Sequence, residues 1–331
     1  MGRAAPACAV KVFVAGATGV LGRRVVQRLV GRGHRVVGLS RSPSNAELLR
    51  QYGVEPRTTD LFQREGLRRS CVDCDAVLHL ATAIPGRLQS KPKDWAENDR
   101  IRSEGTRNLI EAAARNACRL YVQQSVLYVY GDRGGAWVDE TAALTGRPPA
   151  VVRSAVEAER LVQEAVTRRG LPAIVLRFGS FYGGDTHSGE LLERVRTNRS
   201  AVVGHGGQYS NWVAADDAAD AVVRAVERHQ GNVGQAFNVC DGHPVTQRDL
   251  ADYLAGALGA ARPRNLPAWL ARWLIGRHVV EILALSLRAS SRKARERLGW
   301  KPVHPTYREG FRAEIQRWLD AHGSSRPATP A

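Results

Sequence analysis

The sequence predicts an α/β protein with a doubly wound parallel sheet and a smaller, mainly helical substrate domain. Over the first 180 residues, short β-branched runs alternate with amphipathic helical segments, and this alternation requires crossover connections between parallel strands. A glycine-rich turn follows the first strand, and after Arg177 the pattern changes to glycine-rich loops and then to helical periodicity. With 331 residues, of which 44% are hydrophobic, the chain can bury a large core.

The predicted strands are short apolar runs that end at glycine or polar residues, and the helices between them each have an apolar face. The strands are Val10–Ala15, Arg35–Leu39, Val54–Thr58, Ala76–Leu80, Leu120–Gln124, Ala173–Arg177 and Gln235–Val239. The helices are Gly19–Val30, Arg100–Arg115, Val152–Arg168 and about Ala214–Arg228. Residues 9–178 with about 211–242 are predicted to form the first domain, about 179–210 with 243–322 the second region, and 323–331 a disordered tail. Trp269, Trp273 and Trp300 are expected to add apolar bulk to the second region.

The charge is strongly basic but is spread along the chain. The formal net charge is +16, from 48 Lys and Arg against 32 Asp and Glu, and only five of the 48 are lysines. The arginines form no block of like charges and are not interleaved with aromatic residues. This distribution is typical of solvated helix faces and argues against a nucleic-acid partner.

Other features exclude further classes of protein. Cys71 and Cys74 form a C-x-x-C pair, but no second pair or suitably spaced histidines complete a zinc site, so we expect buried thiols and no metal. The N-terminal apolar run leads into glycines and is predicted to be a strand, not a secretion signal. The apolar stretch Leu266–Leu287 contains Arg272 and Arg277, which are costly inside a bilayer. We therefore expect a cytoplasmic monomer or homodimer that acts on a small molecule and has no membrane partner.

The most informative motif is the G-x-x-G-x-x-G spacing of Gly16, Gly19 and Gly22 between a predicted strand and a predicted helix. The first glycine allows a tight turn, the second lets a pyrophosphate approach the backbone, and the third allows close packing of helix on strand. The helix N-terminus then faces the anion. The motif predicts a dinucleotide-binding site formed by the residues Gly16, Thr18, Gly19, Val20, Leu21 and Gly22.

The end of the second predicted strand indicates which dinucleotide is bound. An acidic residue at this position would bind the ribose hydroxyls of NAD, but this strand ends in Ser40 and Arg41. A guanidinium can hold a 2′-phosphate through two hydrogen bonds. NADPH is therefore the predicted cofactor of the first domain, with NADH possible, and a solvated surface arginine is the alternative interpretation of Arg41.

Further segments match one known pattern when they are taken together. They are Asp60-Leu61, Val77–Thr82, Gly105-Thr106-x-Asn108-Leu109, Tyr130-Gly131, Leu176-Arg177-x-x-x-x-Tyr182-Gly183, Asn211-Trp212-Val213-x-x-x-Asp217-x-Ala219 and Leu298-Gly299-Trp300. With the glycine motif, they cover residues 10 to 320, and the chain resembles the extended and atypical short-chain dehydrogenase/reductases of the NAD-dependent epimerase/dehydratase type.

This resemblance implies a Rossmann fold and assigns further residues to the cofactor. Asp60 and Leu61 would lie near the adenine. The residues Leu80, Ala81 and Thr82 would lie near the nicotinamide ribose, and Gly179 and Phe181, in the loop 178–181, near the nicotinamide.

The resemblance also implies a catalytic Ser or Thr together with a Tyr-x-x-x-Lys pair, in which the lysine lowers the pKa of the phenol and the tyrosine passes a proton to substrate. Alignment of the predicted helix places Val151 at the tyrosine and Ala155 at the lysine, and no lysine follows a tyrosine by four residues anywhere in the chain. The hydroxyl is predicted at Ser125, although the usual register falls one residue later, at Val126. The other possible proton donors are Tyr128, Tyr130, Tyr182, His187 and His205, and the sequence selects none of them.

These features predict an NADPH-dependent ketoreductase that lacks the usual proton relay, with the proton coming from water or from a hydroxyl of the substrate. An acidic phenol beside the ketone would make a catalytic tyrosine unnecessary, which favours a bulky aromatic ketone. In this respect the chain is similar to the relay-lacking ketoreductases that modify aromatic polyketides in antibiotic biosynthesis. Two alternatives are a non-catalytic NADP(H)-binding sensor and a nucleotide-sugar epimerase or dehydratase, although the latter needs a proton-transfer residue.

Overall fold

The computed structural model describes residues 9–85, 91–144 and 148–322. Within these residues, seven parallel strands form one central sheet. The predicted doubly wound sheet is confirmed, with each strand end within two residues of its predicted position, while the predicted disordered tail lies outside the described residues. The strands are β1 (Lys11–Ala15), β2 (Arg35–Ser40), β3 (Glu55–Thr58), β4 (Ala76–His79), β5 (Leu120–Val126), β6 (Ala173–Phe178) and β7 (Gln235–Val239).

The order of the strands creates a binding crevice. Across the sheet the order is β7-β6-β5-β4-β1-β2-β3, so the chain first builds outward from β1 on one side and then returns to build on the other. Val12 of β1 accordingly lies beside both Val36 of β2 and Ala76 of β4. The winding reverses between β1 and β4, and ligands bind at such a switch point beyond the carboxyl ends of the strands.

Helices form the crossover connections and cover both faces of the sheet. The helix predicted over residues 100–115 begins four residues earlier and contains a π-helical turn, Ile101–Gly105, of a kind that is frequent at functional sites. The helices are α1 (Val20–Gly31), α2 (Pro43–Gln51), α3 (Arg64–Ser70), α4 (Ala96–Arg100), α5 (Thr106–Arg115), α6 (Arg153–Arg169), α7 (Ser188–Arg196), α8 (Ala215–Glu227), α9 (Gln247–Leu258), α10 (Ala268–Ile275), α11 (Arg277–Leu283), α12 (Arg292–Arg297) and α13 (Tyr307–His322).

The strands are buried on both faces, as expected for a parallel sheet. On one face, Val12 of β1 belongs to an apolar cluster with Leu29 of α1 and Val222 of α8. On the other face, Phe13 of β1 belongs to a second cluster with Leu109 of α5. The period-two alternation of side chains along each strand therefore supplies both layers of the core.

The tryptophans of the second region differ in their environments. Trp300 is fully buried, and its indole Nε1 donates a hydrogen bond of 2.9 Å to the carbonyl oxygen of Asp217. Trp269 and Trp273 are 71% and 80% exposed, so these two residues add their apolar bulk to the surface and not to the core. They lie four residues apart on one face of α10, while the buried residue of that helix, Ala271, lies on the opposite face.

The glycine-rich region after β6 contains short strands. Within the described residues, four pairs of short strands flank the sheet. The pair formed by Ser180–Tyr182 and Trp212–Ala214 continues from the carboxyl end of β6. The other pairs are Trp137–Val138 with Arg288–Ala289, Ala201–Val203 with Arg264–Leu266, and Tyr209–Ser210 with Val245–Thr246.

The cysteines Cys71, Cys74, Cys118 and Cys240 are free and buried, as predicted. Burial raises the pKa of Cys74 to about 11 and that of Cys118 to about 12, so these thiols are neutral. Within the described ranges, no set of three or more His, Cys, Asp or Glu is arranged to hold a metal ion. The described helices also include none with the length and hydrophobicity needed to span a membrane.

Candidate active site

The three glycines of the motif form a turn that other residues would obstruct. Gly16 has a φ of +87°, and a Cβ there would lie 2.6 Å from the backbone of Ala81. A Cβ on Gly22 would overlap the carbonyl oxygen of Gly16. Gly19 differs, because a Cβ there would only touch the same oxygen, at 3.4 Å. Gly16 and Gly22 are therefore required by packing, whereas Gly19 leaves open space on the exposed side of the turn.

This open space has the chemistry of a pyrophosphate site. Gly19 is the N-cap of α1, no side chain caps the first turn, and that turn contains no acidic residue. The free N–H groups and the positive end of the helix dipole thus face the space beside Gly19. Nearby, Thr18 and Val20 are partly exposed, whereas Leu21 packs in the core. The residues present fit a dinucleotide at this turn.

The end of β2 presents one arginine and the N-terminus of a helix. Ser40 is buried, and its hydroxyl donates to the carbonyl oxygen of Ser42 at 2.8 Å. Ser42 in turn caps α2, its hydroxyl accepting a hydrogen bond from the Asn45 N–H at 3.2 Å. The Arg41 side chain is 59% exposed and is 3.5 Å from Glu97. A guanidinium so weakly paired is free to bind an anion.

Asp60 and Leu61 form a wall near the switch point, beyond β3. The Asp60 carboxylate accepts a hydrogen bond of 2.8 Å from the Phe62 N–H, so it stabilises its own turn. Leu61 is buried, and a Cβ added to Gly105 of the π-helical turn would collide with it. The Arg100 guanidinium lies 3.6 Å from the centre of the Phe62 ring. These contacts join the β3 loop to the helical segment that follows β4.

The residues after β4 face the glycine turn. Leu80 is buried and its N–H donates to the Ala15 carbonyl at 2.9 Å, which places Ala81 against Gly16. Thr82 is exposed. Asn98 is fully buried, and its side-chain oxygen accepts a hydrogen bond of 3.1 Å from the Ala83 N–H, while its Nδ2 has no hydrogen-bond partner among the described residues. Such an orphaned donor fits a site that a polar ligand completes.

Gly179 and Phe181 follow β6, at the opposite side of the crevice. The Gly179 N–H donates to the Val239 carbonyl at 3.0 Å, and a Cβ there would lie 2.7 Å from the Asn211 carbonyl oxygen. Phe181 is partly exposed and packs edge-on against Phe178 with ring centroids 5.5 Å apart. The loop is thus held close to the sheet while one aromatic ring stays accessible.

Ser125 lies at the head of a buried polar network. It is 1% exposed, and its hydroxyl donates a 2.5 Å hydrogen bond to the Glu159 carboxylate. The same carboxylate accepts hydrogen bonds from Nε and Nη2 of Arg177, and the shortest of them, from Nη2, is 2.6 Å. Burial lowers the pKa of Arg177, but the hydrogen bond and charge of Glu159 outweigh it, so the net pKa shift is upward. The Ser125 proton is therefore committed to a buried ion pair.

The network continues along the carboxyl ends of β5, β6 and β7. Nη1 of Arg177 donates to the Tyr130 hydroxyl at 2.7 Å, and that hydroxyl donates to the Asn238 side-chain oxygen at 2.9 Å. Burial raises the pKa of Tyr130 to about 12, although Arg177 acts in the opposite direction. Tyr130 therefore has a structural role here, because its hydroxyl already has two partners inside the protein.

The positions aligned with the catalytic pair are filled by packing. Val151 and Ala155 are 4% and 2% exposed and lie in an apolar cluster with Leu127. Neither side chain has an ionisable group. Two of the lysines, Lys11 and Lys293, contact the Val72 carbonyl and Gln235 instead.

The remaining proton-donor candidates differ in their burial and in their hydrogen-bond partners. Tyr182 is 1% exposed and packs against Gly310, and burial raises its pKa strongly. His187 precedes α7 as its N-cap, and Nδ1 of His205 accepts a hydrogen bond of 2.9 Å from the Gly207 N–H within its own loop. Tyr128 is the exception, because its hydroxyl shares a hydrogen bond of 2.8 Å with the Ser180 hydroxyl.

Sequence reasoning missed two members of the site, Glu159 and Ser180. Glu159 follows Ala155 by one helical turn, so a search for polar residues on the same face of α6 would have found it. No local signal marks Ser180, because its contact with Tyr128 joins residues that are 52 positions apart.

The fold and the glycine turn define a dinucleotide-binding α/β protein. The family model for the NAD dependent epimerase/dehydratase family matches residues 12–240. The chain therefore belongs to this family, as the motifs predicted, and it is an NAD(P)-dependent oxidoreductase.

Two of the relatives named as reductases are at least 30% identical to this chain. The chain is 34% identical over 314 residues to a 3-diazoavenalumate denitrifying reductase from a Streptomyces species, which covers 92% of this chain and 100% of the relative. It is 30% identical over 267 residues to a 4-hydroxy-2-methyl-3-oxo-4-farnesyl-3,4-dihydroquinoline-1-oxide ketoreductase from Stigmatella aurantiaca. This match covers 79% of this chain and 78% of the relative.

Solved structures share the fold. The human epimerase family protein determined with NADPH superposes with a TM-score of 0.75 at 22% identity, covering 92% of this chain and 99% of that one. The UDP-glucuronic acid 4-epimerase from Bacillus cereus, determined with NAD, superposes with a TM-score of 0.76 at 22% identity, covering 94% and 99%.

Proposed function

We propose that the protein is an NADPH-dependent ketoreductase that acts on a bulky, polyketide-type aromatic ketone without a Tyr/Lys proton relay. The proposal is supported by the sequence alignment that puts Val151 and Ala155 at the positions of that pair, by the packing of both side chains in an apolar cluster, and by a glycine turn that fits a dinucleotide. The relative from Stigmatella, named as a ketoreductase of a quinoline oxide, supports a ring-bearing ketone. Bound NADPH supplies the hydride, and the protein supplies orientation and exclusion of water.

The preference for NADPH rests on the end of β2. Arg41 is exposed, weakly paired and adjacent to Ser42, whose hydroxyl caps the N-terminus of α2. A 2′-phosphate at this position would gain a charged partner and the positive end of a helix dipole. No carboxylate replaces Ser40 to bind free ribose hydroxyls, so the site favours the phosphorylated cofactor over NADH.

A second candidate is reduction of an aromatic diazo compound. The relative that matches over its whole length is named for the denitrifying reduction of 3-diazoavenalumate. When an aryl diazonium ion accepts a hydride, the ring carbon gains hydrogen and N₂ leaves, so no proton donor is required. The absence of the Tyr/Lys pair agrees with this chemistry as well as with a ketone that supplies its own acidic hydroxyl.

A cofactor-oxidation assay tests the proposal. Purified protein with NADPH is supplied with a panel of aromatic ketones and, separately, with aryl diazonium salts, while NADPH consumption, alcohol formation and N₂ release are measured. Alcohol formation supports the ketoreductase, and N₂ release supports the second candidate. NADPH binding without turnover of either panel would refute both and favour a non-catalytic sensor. Conversion of a nucleotide sugar without net NADPH consumption would favour an epimerase or dehydratase.

A further inference from the structure

Two hydroxyl groups meet beyond the carboxyl edge of the sheet. Tyr128 lies in the 3₁₀ turn Leu127–Tyr130 that directly follows β5, and Ser180 begins the short strand that follows β6. Because Val126 of β5 lies beside Phe178 of β6, the two segments leave neighbouring strands side by side. The result is the 2.8 Å hydrogen bond between the two side-chain hydroxyls.

Two of the other hydroxyls near this edge already have hydrogen-bond partners, and a third is enclosed. Ser125 donates to Glu159, and Tyr130 lies between Arg177 and Asn238. Tyr182 is enclosed against α13. Releasing Ser125 or Tyr130 to a substrate would leave a buried charge or polar group without its partner, which is costly. The Tyr182 hydroxyl has no hydrogen-bond partner among the described residues, but its side chain is buried away from the crevice by α13.

The Tyr128–Ser180 pair has no such commitment. Both residues are partly exposed, and either oxygen can donate to the other. The backbone of Ser180 is fixed by a hydrogen bond of 2.8 Å from its N–H to the Asn211 carbonyl, so the hydroxyl is held in place without a charged partner. Exchange of this neutral hydrogen bond for one to a substrate oxygen leaves no unpaired charge behind.

We propose that Tyr128 is the catalytic proton donor of this protein and that Ser180 holds its hydroxyl in position and returns the proton from solvent. This rests on the proposed ketone reduction, and in it Tyr128 replaces water or a substrate hydroxyl as the source of the proton. NADPH is oxidised to NADP⁺ as its hydride forms the new C–H bond of the alcohol. The carbonyl π bond breaks, its electron pair moves to oxygen, and that oxygen takes the proton of the Tyr128 hydroxyl. Ser180 then passes a proton from water to the tyrosinate.

The ionisation of Tyr128 agrees with this role. Burial raises its pKa, and the hydrogen bond with Ser180 opposes the shift only in part. The phenol therefore keeps its proton at neutral pH, as a general acid must before the reaction. Without a nearby lysine the phenol is a weaker acid, so its proton moves to the alkoxide oxygen that hydride transfer creates, which is a much stronger base than the ketone.

A binding measurement tests the contact independently of turnover. The affinities of 9-fluorenone and of fluorene, which has CH₂ in place of the carbonyl, are measured by tryptophan fluorescence in the presence of NADP⁺. The wild type is expected to bind the ketone roughly five- to tenfold more tightly than the hydrocarbon, as one hydrogen bond provides. Tyr128→Phe is expected to abolish that difference. Equal affinities in the wild type, or an unchanged difference in Tyr128→Phe, would overturn the proposal.

Turnover provides the second measurement, with whichever aromatic ketone the protein reduces. Tyr128→Phe is expected to lower kcat by about 10²- to 10⁴-fold, the usual contribution of a positioned general acid. Ser180→Ala is expected to retain more activity but to change the solvent isotope effect on kcat. Tyr253→Phe is the matched control, because it also removes a tyrosine hydroxyl, one that donates to the Arg308 carbonyl oxygen and has no part in the proposed proton transfer. A wild-type kcat in Tyr128→Phe would refute the proposal. If no ketone is reduced, the ketoreductase assignment and the donor role fail together, and the binding measurement still decides whether the Tyr128 hydroxyl contacts a bound carbonyl.

Discussion

Substitutions of three glycines can separate the effect on cofactor binding from the effect on folding. They are Gly19, just before α1, and Gly22 and Gly31 within it. Substitution of Gly19 by alanine adds a methyl group that touches only the Gly16 carbonyl oxygen, at 3.4 Å, and otherwise projects into open space. The free protein should therefore keep its stability. The methyl group would, however, occupy the space through which a pyrophosphate reaches the N–H groups of α1, so NADPH binding should be impaired.

The magnitude follows from the bonds that would be lost. A hydrogen bond from a backbone N–H to a charged oxygen contributes about 1.5–3 kcal/mol, so the loss of one weakens binding by roughly 10- to 150-fold. The assay is titration of NADPH into Gly19→Ala, with thermal unfolding of the free variant measured in parallel. A wild-type dissociation constant for NADPH would refute the placement of the pyrophosphate at this turn.

Two matched variants of the same helix complete the experiment. At Gly31 an added Cβ meets nothing within 4 Å, so Gly31→Ala should bind NADPH normally and gain up to about 0.5–1 kcal/mol of stability. At Gly22 the Cβ would overlap the Gly16 carbonyl oxygen, so Gly22→Ala should lose about 1–3 kcal/mol of stability from overpacking before any ligand is added. Equal stabilities of all three free variants would contradict the packing described for the turn.

Three further predictions test the cofactor preference, the polar network and a buried acid. Arg41→Ala should weaken NADPH binding by about tenfold and should have little effect on NADH binding. Glu97→Gln removes the competing carboxylate and should strengthen NADPH binding. Equal effects of Arg41→Ala on the two cofactors would refute the 2′-phosphate site. Glu159→Gln leaves the buried Arg177 guanidinium without its carboxylate and should lower the free energy of unfolding by about 3–5 kcal/mol. Glu157→Gln, on an exposed face of the same helix, should lower it by under about 1 kcal/mol. Urea titrations of both variants measure the difference. Burial raises the pKa of Asp241 to about 7, so folding favours its protonated form, and the contribution of this group to stability is lost as the pH rises from about 4 to 7. The stability of Asp241→Asn relative to the wild type should therefore rise across that pH range. A difference in stability that does not depend on pH would contradict the raised pKa.

Much of the fold was predictable because its signals are local. The strands showed as apolar runs, and Gly16, Gly19 and Gly22 marked the turn at which β1 meets α1. Burial patterns were less accessible. The spacing of Trp269 and Trp273 places them together on one face of α10, but only the neighbouring helices decide that this face is exposed.

The sequence allowed specific predictions for the nucleotide side of the candidate site but not for its substrate side. A dinucleotide is bound by backbone N–H groups and a short motif, which one stretch of sequence contains. Ser125 was predicted one residue before the position that the usual register gives, and it remains a prediction whose hydroxyl the fold places against Glu159. The substrate side depends on which side chains of distant segments meet, and composition carries no record of that.

The sequence by itself predicted the family, which the match to the family model confirms. It also predicted the dinucleotide site and the lack of a Tyr/Lys pair, because each of these is a matter of residue type at fixed spacing. Only the tertiary structure decided which hydroxyls are free. Ser125 and Tyr130 are held by an ion pair formed between α6 and β6, whereas the Tyr128 hydroxyl, within the described part of the chain, bonds to the Ser180 hydroxyl alone. Availability for chemistry depends on the partners that a folded chain brings within hydrogen-bond distance, and those partners lie tens of residues away along the chain.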